Sequence, residues 1–234
     1  MRFHSCAALA LLLLAGPASA QVGHDPASSP YRTLRYGQFL GMTAGYFNGD
    51  GGNLGLAPHK GATVGLRYDF LAAGTVTVSL AGTFANTERL IVNPHNPIET
   101  AVTGPVKQSL TILEGIIQFN ITGGKSWRGI APFVSAGIGL GLGQSTPADT
   151  SGFKFKAKAM FTPGIGARIF LSERLFLRIE ARSPFWQLSY PAAFRLPPST
   201  DPTKPPVLVE SSGKEWMTSG WYTIGLSYAF HRPF

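Results

Sequence analysis

Six ionisable side chains carry the first question this sequence raises: Arg67, Glu114, Arg168, Arg178, Glu180 and Arg182. Each stands in a stretch where every second residue is apolar, so all six fall on the opposite, polar side of whatever element holds them. Charges gathered on the inside of a fold must pair, because an unpartnered buried ion is costly. In a wide channel the same residues would instead line the path and set ion selectivity. The histidines offer less. His24, His59, His95 and His231 are isolated, without the close His, Asp or Glu spacing of a metal site. A hydrolytic base must reach its nucleophile, and His59 or His95 could do so only towards Asp50 or Ser109. A third group, Lys154, Lys156 and Lys158, alternates along one segment. It reads either as a contact for lipopolysaccharide phosphates or as a solvated strand extension. No metal or other cofactor is expected.

The elements that hold these residues have period-2 alternation, the mark of a strand with unlike faces. Ala62, Val64, Leu66, Tyr68 and Phe70 oppose Gly61, Thr63, Gly65, Arg67 and Asp69. After a short turn, Val76, Val78, Leu80 and Phe84 oppose Thr75, Thr77, Ser79, Ala81 and Thr83. Residues 109–122, 129–144, 153–171 and 175–182 repeat the pattern, as does the run from Tyr222 to Phe234. In the fifth of these segments by chain order, Phe153, Phe155, Ala157, Phe161 and Ile165 share the apolar face. A further strand, about Tyr36 to Phe47, carries aromatics on both faces and is assigned mainly by count.

The eight strands alternate short connections, near 71–75, 122–128 and 171–174, with longer ones near 49–60, 85–108, 145–152 and 187–218. Even strand number with short turns at one end and long loops at the other describes an eight-stranded antiparallel up-and-down transmembrane β-barrel, a single all-β domain over 36–234. The prolines between Pro197 and Pro206 keep the last loop out of the sheet. A soluble lipocalin-like barrel would use the same periodicity with the apolar face inside. The small residues of the polar face favour the membrane, since an eight-stranded lumen is narrow.

The ends and composition agree. Arg2, the apolar run Ala7 to Ala15 and Ala18-Ser19-Ala20 form a secretory signal over 1–20, with cleavage after Ala20. Its removal takes Cys6, the only cysteine, and with it any disulfide or thiolate chemistry. Residues 21–35 read as a disordered periplasmic leader. Charged residues are only 14% of the chain, and no later window is apolar for the roughly 20 residues a membrane helix needs. The net charge of +8 is scattered, so anionic lipid suits it better than nucleic acid.

The ending Tyr228, Phe230 and Phe234 resembles the aromatic terminus that barrel assembly machinery reads in outer-membrane proteins. The segments 164–168 and 175–182 resemble the penultimate hairpin of OmpA-like and OmpX-like small barrels. That resemblance implies a monomer in the bacterial outer membrane, in contact with its lipid and lipopolysaccharide. It implies a non-enzymatic barrel whose loops bind a surface partner, although some similar barrels modify lipid A, and a narrow pore is the other alternative. No His-x-Ser motif like that of the lipid A deacylases occurs. In the hairpin joined by Ser172-Glu173-Arg174, Gly164 and Gly166 should leave room for Arg178, Glu180 and Arg182. Glu180 should then lie between arginines and near Arg168, with Glu114 approaching across the lumen.

Overall fold

The computed structural model describes residues 29–147, 149–209 and 212–230. The expected signal over 1–20 and the terminal Phe234 lie outside the described residues. Eleven strands follow one another: β1 (Tyr31–Thr33), β2 (Gln38–Gly49), β3 (Lys60–Leu71), β4 (Val76–Val92), β5 (Val102–Asn120) and β6 (Lys125–Trp127), then β7 (Ile130–Gly143), β8 (Ala157–Phe170), β9 (Leu175–Arg182), β10 (Phe185–Ser189) and β11 (Lys214–Phe230). A short helix, α1 (Ile98–Ala101), caps the β4–β5 connection.

Eight of these segments close a ring in which each strand pairs antiparallel with the next and β11 returns to β2. β9 and β10 are one barrel strand, since Arg182↔Trp221 and Phe185↔Thr218 keep a single register against β11. The ladder is interrupted only at Ser183 and Pro184, where proline has no N–H to donate. Following partners around the wall leads from Phe47 through Trp221, Arg182, Gly164, Ser135, Gln118, Thr77 and Leu71. Leu71 N bonds Gly37 O, ten residues below the starting point on the first strand. Eight strands with that stagger must tilt steeply, and the barrel interior is then just wide enough to be filled by side chains.

The alternation decides which face is which. Leu66, Val78, Ile138, Ile165 and Leu226 are all exposed on the outer wall, and Thr63, Arg67, Thr77, Ser79 and Arg178 are buried inside. Along β11 the outward residues Tyr222, Ile224, Leu226, Tyr228 and Phe230 form one apolar row with tyrosine near both ends. So continuous an apolar exterior is stable only in hydrocarbon, and the span matches the 9–11 residues of a transmembrane strand. Among the described residues no helix is long and apolar enough to cross a membrane.

Three expectations are corrected. The connection expected over 85–108 is mostly sheet, because β4 and β5 stay paired out to Val92↔Val102. Beyond the bilayer the outward face has no need to be apolar, so the alternation fades while backbone pairing continues. The last connection is likewise shorter than 187–218, with β10 reaching Ser189 and β11 starting at Lys214. Second, Phe153 and Phe155 do not share the lipid face of Phe161 and Ile165, since both are buried. Lys156 has φ near +55°, and this single left-handed residue turns the chain over before β8 begins. Third, the expected leader is ordered in its final residues. β1 pairs with β6 through Tyr31↔Trp127 and Thr33↔Lys125, and Leu34 N bonds Gly124 O. Because the β5–β7 turn lies across the ring from β2, residues 31–36 run over the turn end of the barrel.

Candidate functional site in the barrel lumen

One strand passes through every level of the interior. The inward residues of β9 and β10 read Phe176, Arg178, Glu180, Arg182, Pro184, Trp186 and Leu188, all buried. They divide the lumen into an aromatic floor, a charged middle and an apolar outer half.

At the turn end Phe176 packs edge-on against Phe39 with ring centroids 5.3 Å apart, and Phe170 and Tyr36 complete the floor. Arg174 secures the seam from outside by donating to Tyr36 Oη at 3.0 Å and Tyr228 Oη at 3.2 Å. Those two phenol oxygens hold its guanidinium above its ordinary pKa.

The middle level contains all six predicted residues. The expected register is observed, with Gly164↔Arg182, Gly166↔Glu180 and Arg168↔Arg178 on β8 and β9. Glycine is required at Gly166, where a Cβ would sit 2.4 Å from Ile179 O and 2.6 Å from Phe133 Cζ. Glu180 accepts from Arg67 Nη1 at 3.0 Å and from Ser135 Oγ at 3.0 Å, and Arg182 Nε lies 4.0 Å away. Arg182 Nη2 donates to Glu114 Oε1 at 2.6 Å, across the strand β7, whose Gly137 leaves the space. The guanidinium of Arg182 also stacks over Trp221, 4.6 Å from the ring centroid.

Asp69 is the member that the sequence reading left out of this set. It accepts from Arg67 Nε at 2.7 Å, from Ser79 Oγ and from Arg178 Nη2. Its signal was present, since it lies two residues after Arg67 on the same face of β3. Arg168 departs from expectation in the other direction. It makes no ion pair among the described residues, but donates to Asn120 Oδ1 and lies over the rings of Phe39 and Phe176 at 5.6 and 5.9 Å. Gln118 links the two halves, accepting from Arg178 Nη1 at 2.8 Å and donating to Asn120 at 2.7 Å. Three guanidiniums thus meet three carboxylates, with Arg168 beside them on Asn120, and all seven side chains are buried. Glu114 Oε2, Arg168 Nε and Arg168 Nη1 have no hydrogen-bond partner among the described residues, and buried groups of this kind are ordinarily met by ordered water.

The outer half is apolar. Phe47, Leu110, Ile112, Met160, Trp186, Met217 and Trp221 from the strands meet Leu56, Ala101, Phe153, Phe155, Phe194 and Leu208 from the four long connections. Trp186 stacks on Phe47 at 5.7 Å and meets Phe155 edge-on at 5.8 Å. Polar clasps bind the loops over this core. Arg89 donates to Asp149 Oδ2 at 2.6 Å and to Gln108 Oε1 at 2.9 Å. Burial would push the Asp149 carboxyl up, but the hydrogen bonds from Ser151 and Arg89 outweigh it and hold the carboxyl below the usual aspartate range. Glu215 accepts from Asn53 N at 3.1 Å and from the Tyr190 hydroxyl, and Thr200 Oγ1 donates to His95 O at 2.8 Å.

The remaining candidates are scattered. His59 Nε2 lies 3.1 Å from Gly55 O, and His95 Nδ1 lies 3.2 Å from Ser199 Oγ on the exposed loops, in place of the Asp50 or Ser109 contacts that a hydrolytic site would have used. No cluster of three metal-ligating side chains occurs among the described residues. Lys154 and Lys156 are exposed and Lys158 is partly buried. Tyr228 and Phe230 pack edge-on at 5.4 Å on the outer wall.

No model of a known protein family and no curated protein matches the sequence. Solved structures do match. The outer membrane protein OprG from Pseudomonas aeruginosa superposes with a TM-score of 0.55 at 14% identity, covering 86% of this chain and 99% of that one. The fold is that of the small outer-membrane barrels. Neisserial surface protein A gives a TM-score of 0.51 at 10% identity, covering 86% of this chain and 98% of its own. With the apolar exterior, this makes the chain an outer-membrane β-barrel, with short turns at one end and long loops at the other.

Proposed function

We propose that the protein is a non-enzymatic, non-conducting outer-membrane barrel, its lumen plugged by the charged layer and its loops joined into a cap that meets a surface partner. The observation that carries the reading is the succession on β9 and β10, from Phe176 through Arg178, Glu180 and Arg182 to Trp186 and Leu188, with every side chain buried. An eight-stranded barrel has little more room than its own inward residues occupy. Here they include two tryptophans and five arginines. A permeant ion would have to displace paired charges in the middle and apolar contacts above them.

The partner role rests on the loops. The clasps at Arg89, Glu215 and Thr200 hold the four connections to one another and to a shared core. A surface ordered in advance loses less entropy on binding than free loops do. Liposome swelling tests the first half: vesicles carrying the refolded barrel should take up small sugars and amino acids no faster than empty vesicles. Uptake that rises with the amount of protein would reject the plug.

A further inference from the structure

We propose that the charged layer binds one small monoatomic anion, chloride or bromide, between Arg168 and Arg178. The two arginines stand directly opposite one another on β8 and β9, both turned inward and both buried. Their guanidiniums lie over the same ring, Phe176, at 5.9 and 6.0 Å from its centroid. Like charges placed opposite in a sheet repel. Arg168 Nε, Arg168 Nη1 and Arg178 Nε are buried donors without a hydrogen-bond partner among the described residues.

The carboxylates of the layer are committed elsewhere. Asp69 Oδ1 accepts from Arg67 and Ser79 and its Oδ2 from Arg178, while Glu180 accepts from Arg67 and Ser135. Glu114 keeps an open oxygen, Oε2, but its partner is Arg182 at the other end of the layer. From Glu114 to Asn120, the residue that Arg168 touches, is about 20 Å of strand. The neutral acceptors are also taken, Gln118 Oε1 by Arg178 and Arg67 and Asn120 Oδ1 by Arg168 and Gln118. Arg67, Arg168, Arg178 and Arg182 therefore exceed Asp69, Glu114 and Glu180 by one positive charge, and the excess sits at Arg168. Ordered water can meet the unused N–H groups but leaves the charge, and a buried charge without a counter-charge is costly.

The surroundings set the size of the anion. Phe39 and Phe176 lie against Arg168, Phe133 and Phe176 lie against Arg178, and Ala131 faces Arg168 from β7. An interior that its own side chains nearly fill admits an ion about as large as a water molecule, but no phosphate or organic acid. The site rests on the reading of the charged layer as a plug. The two fail by different readouts, an open lumen by conductance and a missing anion by the salt dependence of stability.

The test is urea unfolding of the full barrel in lipid vesicles, with chloride exchanged for gluconate at constant ionic strength. A ligand held only by the folded state shifts the equilibrium by mass action. Above the dissociation constant the unfolding equilibrium constant of the parent should fall about tenfold for each tenfold rise in chloride, and bromide should act alike. Arg168→Met removes the excess charge and should lose this dependence, while being no less stable than the parent in gluconate. Lys125→Gln, which removes an exposed cation at the same end of the barrel, should respond to chloride as the parent does. A parent whose stability is the same in chloride and gluconate overturns the site, and that result needs no variant to fold. Chloride dependence that persists in Arg168→Met overturns the location, and its loss in Lys125→Gln overturns the site in favour of surface charge.

Discussion

Replacing Asp69 with asparagine keeps the shape of the side chain and removes one charge from the centre of the lumen. Arg67 would retain Glu180 at 3.0 Å, but Arg178 would keep only neutral contacts, chiefly Gln118 at 2.8 Å. Each lost pair is worth about 4 kcal/mol at an effective dielectric near 20 and about 4 Å between charge centres. Water entry and rearrangement recover part of that, and removal of one partner of a buried pair typically costs about 3–5 kcal/mol. Asp69→Asn should therefore destabilise the barrel by that amount, read as the shift in a urea unfolding curve in lipid vesicles. Arg178→Met in the same chain removes the stranded charge and keeps van der Waals contact with Phe133, over which the guanidinium lies at 5.1 Å. The double variant should then be more stable than Asp69→Asn alone, with a coupling of about 2 kcal/mol or more. A cost below about 1 kcal/mol for the single change, or none of it recovered in the double, would refute the reasoning and mean that the layer is solvated.

Further expectations follow from other levels of the molecule. Glu180→Ala, which leaves Arg67 with Asp69 alone and Arg182 with Glu114 alone, should lower stability by up to ~3–5 kcal/mol or open a measurable conductance, and no change in either would separate Glu180 from the plug. Trp186→Ala should cost about 3–5 kcal/mol by emptying the middle of the apolar half, and a change under about 1 kcal/mol would show that the cap collapses to fill the space. Leu66→Arg and Ile138→Arg should each impair assembly by about 2–4 kcal/mol, measured as folded fraction in vesicles, and wild-type yields would contradict the assigned lipid face. The Arg89–Asp149 clasp depends on pH in a definite direction. Since the folded Asp149 pKa is depressed, its contribution is complete above the ordinary aspartate value of about 3.9 and is lost only as pH falls through the lower folded value. Hydrogen exchange at residues 145–152 should thus be no faster relative to intrinsic rates at pH 5 than at pH 7, and loop opening between those values would contradict it.

What the sequence discloses is the face of each residue, not its height. Arg67, Glu114, Arg178, Glu180 and Arg182 were legible as inward because their neighbours alternate, and the turn at 171–174 was short enough to fix the register of Gly164 and Gly166. The stagger of the closed wall decides which inward residues share a level. It brings Asp69 to Arg178, 109 residues later, and Glu114 to Arg182. Neither partnership has a local signal, which is why Asp69 could be placed on the correct face without being assigned to the network. Arg168 shows the same gap in reverse, correctly turned inward but too near the aromatic floor to reach Glu180.

The apolar outer half was illegible for a different reason. Leu56, Phe194 and Leu208 sit in irregular connections, where burial has no period, and Phe153 and Phe155 are displaced from the lipid face by one backbone angle at Lys156. The paired ends of β4 and β5 resembled loop because their outward residues Asn86 and Glu88 face water, not lipid. Polar alternation carries little information about sheet. The lysines at 154, 156 and 158 alternate in the sequence, but the turn at Lys156 leaves Lys154 and Lys156 exposed and carries Lys158 to the inner face of β8, opposite Gly141.

The closed lumen is tested most directly by single-channel recording on the unmodified barrel in a planar bilayer. The account predicts a flat trace, without resolved steps, under conditions in which insertion of folded protein is verified independently. A stable, reproducible conductance in the unmodified protein would contradict it, and would make Arg67, Arg178 and Arg182 the lining of a pore.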